Sequence, residues 1–205
     1  MWGMSLKASM RSKLKMVNKM AGNVFGDKFT TPTGRVSFPY VFEKAKSLEA
    51  GKEGKYEVTL YIPKSEDISG IRKILEKVAR EAFGTKFTTL EKLKHPPIKD
   101  GDDKDPSDPA YGHWIIRAKS AKRPLVVDAS RTVIESKDDL YGGCYGRINV
   151  TPASYAIPTG WGVTLYLNAV QKVKDGERFG GSGVRAEEAF EALSIEEPVS
   201  LEENF

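Results

Sequence analysis

Residues 55–62, KYEVTLYI, constrain the fold more than any other stretch: Tyr56, Val58, Leu60 and Ile62 alternate with Lys55, Glu57, Thr59 and Tyr61. A period of two puts one set of side chains on a single face only if the backbone is extended, so this is a β-strand lying against a core. Pro63 ends it, because proline has no N–H to offer a neighbouring strand. Residues 35–42, RVSFPYVF, read as an earlier strand interrupted by Pro39, which predicts a sheet edge or a bulge there. Residues 113–120, 124–128, 144–155 and 161–174 supply three or four more strands. Gly142-Gly143 and Pro158-Thr159-Gly160 separate the later ones in hairpin fashion.

One internal segment has the helical period instead. In residues 69–83, Ser69 can cap the start, Ile71, Leu75, Val78, Ala79, Ala82 and Phe83 form a stripe, and Gly84 ends it. A polar loop with four prolines and five aspartates runs from about His95 to Gly112. Five or six short antiparallel strands with a helix inserted between early ones predict an all-β fold. The architecture expected is a Greek-key barrel of the oligonucleotide-binding (OB) type. No strand–helix–strand rhythm supports a doubly wound α/β fold. The expected organisation is a basic arm over residues 1–26, the barrel domain over 27–192 and an acidic flexible tail over 193–205.

Charge is divided unevenly along the chain. Seven of the 28 acids (Glu187, Glu188, Glu191, Glu196, Glu197, Glu202 and Glu203) lie in the last 20 residues, which contain no Lys or Arg. The 32 bases therefore face 21 acids in the body, a net of +11 against +4 for the whole chain. A basic body with an acidic tail predicts a polyanionic partner, and a tail able to compete for the same surface. Residues 1–26 carry Lys7, Arg11, Lys13, Lys15 and Lys19 and no acid. Leu6, Met10, Leu14, Val17 and Ala21 fall on one helical face there, as in a nucleic-acid-binding arm or a mitochondrial-type presequence.

No apolar run nears the ~18 residues of a membrane span, and no apolar signal region follows the start, so neither membrane nor secretory pathway is expected. Cys144 is the single cysteine, which excludes an internal disulfide and fits a reducing compartment. With His95 and His113 it cannot build a zinc site without carboxylates, and no metal or cofactor is expected.

The alternation also assigns the outward faces. Trp114, Ile116 and Ala118 face the core, leaving Ile115, Arg117 and Lys119 outward. Cys144, Gly146, Ile148 and Val150 oppose Tyr145, Arg147, Asn149 and Thr151, and Val163, Leu165 and Leu167 oppose Thr164, Tyr166 and Asn168. Tyr61, Tyr145 and Tyr166 thus stand on polar faces beside Arg117, Lys119 and Arg147. Aromatic rings stack on the π-faces that only unpaired bases expose, while cations follow the phosphates, so the combination favours single strands. A lone strand tyrosine more often caps a hydrophobic edge; the pattern across strands carries the weight. Arg35, Lys44, Lys46, Lys64, Lys122, Arg123, Lys172 and Lys174, at strand ends, could line the groove.

Other motifs lead elsewhere. Gly181-x-Gly183-x-x-Ala186 fits a dinucleotide fingerprint but has no strand after it to complete a βαβ unit, so a loop before a short helix near 187–193 is expected. Asp100, Asp102, Asp103, Asp105 and Asp108 miss the calcium-loop spacing and read as a solvated loop. The rival functions are a metal-dependent nuclease built on that aspartate loop and a structural protein of a virion. No nucleophile–base constellation accompanies either, and the chain is not expected to be an enzyme.

Several phrases, in order, carry a resemblance: RVSFPYVF (35–42), KYEVTLYIPK (55–64), RPLVVD (123–128), YGGCYGRINV (141–150) and GVTLYLNAVQKVKDGERFGG (162–181). Together they resemble a family of phage and prophage single-stranded-DNA-binding proteins over roughly residues 33–192. The resemblance implies an OB-fold that coats single-stranded DNA during phage replication or recombination in the host cytoplasm, and it leaves a homodimer open. It also implies kinship with the proteins of short-tailed phages, whose acidic tail ends in phenylalanine and contacts replication or recombination partners. Here Glu196, Glu197, Glu202, Glu203 and Phe205 match that tail in character, though with fewer acids. No family motif fixes individual DNA contacts.

Overall fold

A computed structural model describes residues 23–47 and 51–179. The first 22 residues of the expected arm, the glycine motif at 181–186 and the expected tail lie outside the described residues. In chain order the strands are β1 (Phe29–Thr30), β2 (Gly34–Tyr40), β3 (Tyr56–Pro63), β4 (Ile98–Asp100), β5 (His113–Ser120), β6 (Leu125–Val127), β7 (Tyr145–Ile157) and β8 (Gly160–Lys174), with helix α1 (Ser69–Phe83) between β3 and β4.

Five of these strands close on themselves. β3 pairs antiparallel with β2 and β5, β5 runs parallel to β8, β8 pairs antiparallel with β7, and β7 returns to β2. A three-strand meander whose fourth strand comes back beside the first is the Greek-key circuit of an OB barrel. Its interior holds the faces that the alternation assigns inward: Val58, Leu60, Ile116, Ala118, Ile148, Val150 and Leu165 are all solvent-free or nearly so. The short β1 and β6 extend the sheet at β7 and β8.

The barrel is closed more tightly at one seam than at the other. Where β2 meets β7, Gly34 stands opposite Gly146. A Cβ on Gly146 would lie 2.8 Å from Val36 Cγ2 and 2.9 Å from the Gln171 carbonyl oxygen, inside contact distance of both neighbours. Between β5 and β8 the pairing is Lys119 with Tyr166, so this seam stays partly open.

Helix α1 packs on β7 and β8. Ile71, Leu75, Val78 and Ala79 enter the barrel's own core, and the Phe83 ring sits 4.4 Å from that of Trp161. Its start differs from expectation. Ser69 is the first helical residue, and the cap is the Asp67 carboxylate, which accepts from the Ser69 N–H at 2.8 Å and from its hydroxyl at 3.1 Å. A carboxylate there also meets the positive end of the helix dipole, which a serine hydroxyl does not. Gly84 ends the helix at φ +55° as expected.

The stretch 95–112 is more ordered than a solvated loop. Its β4 pairs with the first half of β5, and a 3-10 turn follows at Gly101–Asp103. Lys64 lies between Asp100 (2.6 Å) and Asp102, and Trp114 stacks beneath Lys64 and Arg72 with cation-to-ring distances of 5.0 and 4.9 Å. Among the described residues no helix is long and apolar enough to cross a membrane.

Candidate nucleic-acid interface

The outward face of β3 and β5 forms the floor of an open groove of about 1540 Å³. Its position follows from the pleat: with Val58, Leu60, Ile116 and Ala118 in the barrel, Thr59, Tyr61, Ile115, Arg117 and Lys119 must face the other way. One wall is the Phe38–Tyr40 end of β2 and the connection to β3 (Phe42, Glu43, Lys55). The opposite wall is the 95–110 stretch, with His95, Lys99 and Lys104, and Tyr155, Ile157 and Tyr166 close the side toward β7 and β8. In OB barrels the second and third strands, with the first–second and fourth–fifth loops, are where oligonucleotides bind. Here those strands are β3 and β5.

The groove is basic and aromatic. Lys55, Lys99, Lys104, Arg117, Lys119 and Lys137 line it against the acids Glu43 and Asp108. Below the floor Glu57, only 7% exposed, accepts from Arg117 Nη2 at 2.5 Å and meets Lys119 Nζ at 3.2 Å. The carboxylate fixes both cationic heads at the surface without neutralising the pair. Four of the eight large hydrophobic residues left exposed among those described, Phe38, Tyr40, Ile157 and Tyr166, line this one groove, and they include three of the four exposed rings. Leaving such side chains in water forgoes part of the ~1.5–3 kcal/mol that burial of each would bring. Clustered exposure of this kind marks a surface that another molecule covers.

The residues expected from sequence to touch DNA divide into two sets. Arg117, Lys119, Tyr166 and Tyr61 line the groove, and Arg123 stands at its rim, 5.6 Å over the Phe42 ring. Tyr61, however, is buried: Phe179 and His113 cover its ring at 5.7 and 6.5 Å, so no free face remains for a base. The others stand apart. Arg35 is held between the rings of Tyr145 and Phe179 (5.0 and 4.6 Å) and donates to the Glu177 carbonyl, while Lys174 covers Tyr145 from 4.6 Å. Lys172 pairs with Asp175 at 2.7 Å, and Lys64 with the aspartates. Arg147 donates to Gln171 on the outer face of β7 and β8; Lys46 and Lys122 are exposed in the connections flanking β3 and β5.

Sequence reading missed Phe38, Tyr40, Lys99 and Lys104. The first two were hidden by parity, because regular alternation sends Phe38 to the core side with Val36. The lysines were hidden in a stretch dominated by aspartate and proline.

Burial pushes the Cys144 thiol and the Tyr155 phenol upward, which keeps both protonated. The aspartate stretch is engaged with itself: Asp100, Asp105 and Asp108 accept from the backbone N–H two residues on, and Lys64 stands where a cation would. Among the described residues no three acids, histidines or cysteines converge as metal ligands.

Residues 27–200 match the family model described as the single-stranded-DNA-binding protein of Enterobacter phage Enc34. The chain belongs to this phage single-stranded-DNA-binding protein family. Protein p50 of Acyrthosiphon pisum secondary endosymbiont phage 1 is 33% identical over 179 residues, covering 82% of this chain and 94% of p50. The Enc34 protein solved in complex with single-stranded DNA is 29% identical, with a TM-score of 0.61, over 78% of this chain and 90% of that one. Bacteriophage T7 gp2.5, a single-stranded-DNA-binding protein, shares the fold at 21% identity and a TM-score of 0.56, over 84% of this chain and all of gp2.5.

Proposed function

We propose that this chain binds single-stranded DNA, largely without regard to sequence and without acting on it chemically, in the groove over β3 and β5. The observation that carries the reading is the concentration of exposed rings and of Lys and Arg heads along one open channel. The rings offer stacking faces that any base can use, and the cations offer phosphate contacts that any sequence can use. A duplex has its base faces stacked already and gains only the second term. Membership of the Enc34 family, and the Enc34 complex with single-stranded DNA, support the same reading. The nuclease alternative is disfavoured because four of its five aspartates, Asp100, Asp102, Asp105 and Asp108, are engaged by Lys64 or by backbone N–H groups.

The setting that fits such a binder is coating of single strands during phage replication or recombination in a bacterial host. The acidic segment ending in Glu202, Glu203, Asn204 and Phe205 would recruit a replication or recombination protein through its aromatic tip, and would compete for the groove when DNA is absent. The test is paired. Arg117→Ala with Lys119→Ala should weaken single-strand binding and flatten its salt dependence, by about 0.7 in the log–log slope for each phosphate no longer neutralised. Removing residues 194–205 should tighten binding at low salt. An unaltered slope contradicts the groove assignment, and unaltered affinity on truncation contradicts the competing tail.

A further inference from the structure

The β2–β3 ladder is regular through Ser37 opposite Thr59 and resumes with Tyr40 opposite Glu57. Two residues of β2, Phe38 and Pro39, therefore span the place of Val58 alone, which is a β-bulge. Its effect on parity is large. Val36 points into the barrel, and without the extra residue Phe38 and Tyr40 would follow it there. With it, Val41 takes the core position, fully buried, while Phe38 and Tyr40 turn out to the groove at 59% and 44% exposure.

Phe38 meets three unfavourable conditions at once. Its φ is +48°, in the left-handed region that non-glycine residues avoid. Proline follows it, and the proline ring disfavours helical conformations in the residue before it. It is the most exposed of the large hydrophobic residues among those described. Neither backbone preference nor burial accounts for this arrangement in the protein alone. Strain kept at an exposed aromatic on a groove wall points to a ligand that uses the ring.

We propose that the 37–40 bulge is a base-presenting device, and that Phe38 stacks on an unpaired base of the bound strand. This rests on the groove being a single-stranded-DNA site, and it names a contact that parity hides. The phosphate-tracking cations of the floor hold the strand; the bulge adds a term that depends on bases.

The test compares a labelled oligo-dT with an abasic deoxyribose-phosphate oligomer of the same length, binding to the full chain and to variants at position 38. The wild-type chain should prefer oligo-dT. Phe38→Ala and Phe38→Gly should lose roughly 5- to 150-fold on oligo-dT, the range of one stacking contact, and little on the abasic strand. Phe38→Tyr should retain the preference. Phe38→Gly should unfold no earlier than wild type on heating, because glycine accepts positive φ without strain. Equal losses on both oligomers, unchanged binding, or unfolding of Phe38→Gly and Phe38→Ala alike would overturn the assignment and make Phe38 a packing residue. A wild-type chain that binds neither oligomer would sink the proposed function as well, a result distinct from loss of the base preference alone.

Discussion

Tyr61 and Tyr166 both leave the barrel on its outward face, yet they have different surroundings. Tyr61 is covered by Phe179 and His113, whereas Tyr166 is 42% exposed along the groove, with Phe25 stacked 6.1 Å away. Substitution should therefore separate them. Tyr166→Ala should weaken single-strand binding by ~1–3 kcal/mol and leave the thermal midpoint nearly unchanged. Tyr61→Ala should leave a cavity beneath Phe179, costing ~3 kcal/mol or more of stability and several degrees of Tm. Thermal denaturation monitored beside DNA titration decides the pair; equal loss of stability in both would contradict the geometry. Parity in the sequence correctly put both tyrosines outward. It could not show that Phe179, over a hundred residues downstream of Tyr61, returns to cover one of them.

At the scale of elements, the barrel depends on approaches too close for side chains. Gly146 stands between β2 and β8, opposite Gly34 and beside Val36 and Gln171. Gly146→Ala should force these strands apart and lower the thermal midpoint by several degrees, because one of the two close neighbours is backbone that cannot rotate away. An unchanged midpoint would show that the β2–β7 seam is loose. The long strands and the helix were legible because each buries a face with a strict period: Val58 to Ile62 in β3, Ile71 to Ala79 in α1. The short β1 and β4 were not, since two- and three-residue strands have no period to display. The bulge was half legible. Pro39 announced an irregularity, but which way Phe38 and Tyr40 turn depends on how many residues the partner strand supplies. The Asp67 cap was missed for a local reason: the Asp67 carboxylate takes both the N–H and the hydroxyl of Ser69, so the serine becomes the first helical residue instead of the cap.

The whole molecule combines an acid-sensitive set of ion pairs with a basic groove. Hydrogen bonds from Lys64 hold the Asp100 carboxyl below its usual range, those from Lys172 do the same for Asp175, and the Ser69 N–H does so for Asp67. A carboxyl depressed in the folded state stabilises it above the ordinary carboxylate pKa, about 4, and loses that contribution as pH falls through the folded value. Lys64 and Lys172 are raised by the same pairs, so their contribution holds until pH climbs past the ordinary lysine value of about 10.4. The thermal midpoint should therefore be flat from about pH 5.5 to 9 and fall below about pH 4; these exposed pairs make the fall gradual. A midpoint that drops between pH 5.5 and 7 would point to a titrating group outside these pairs.

The central claim, that the face of β3 and β5 is built for unpaired strands, is tested most directly by fluorescence anisotropy. A labelled single strand of about 30 nucleotides, long enough for more than one OB footprint, is titrated with the full chain at two salt concentrations beside a duplex of matched sequence. The predicted result is tight binding to the single strand, weakened by salt and clearly stronger than binding to the duplex. Equal affinity for the two, or no affinity for either, would contradict the account.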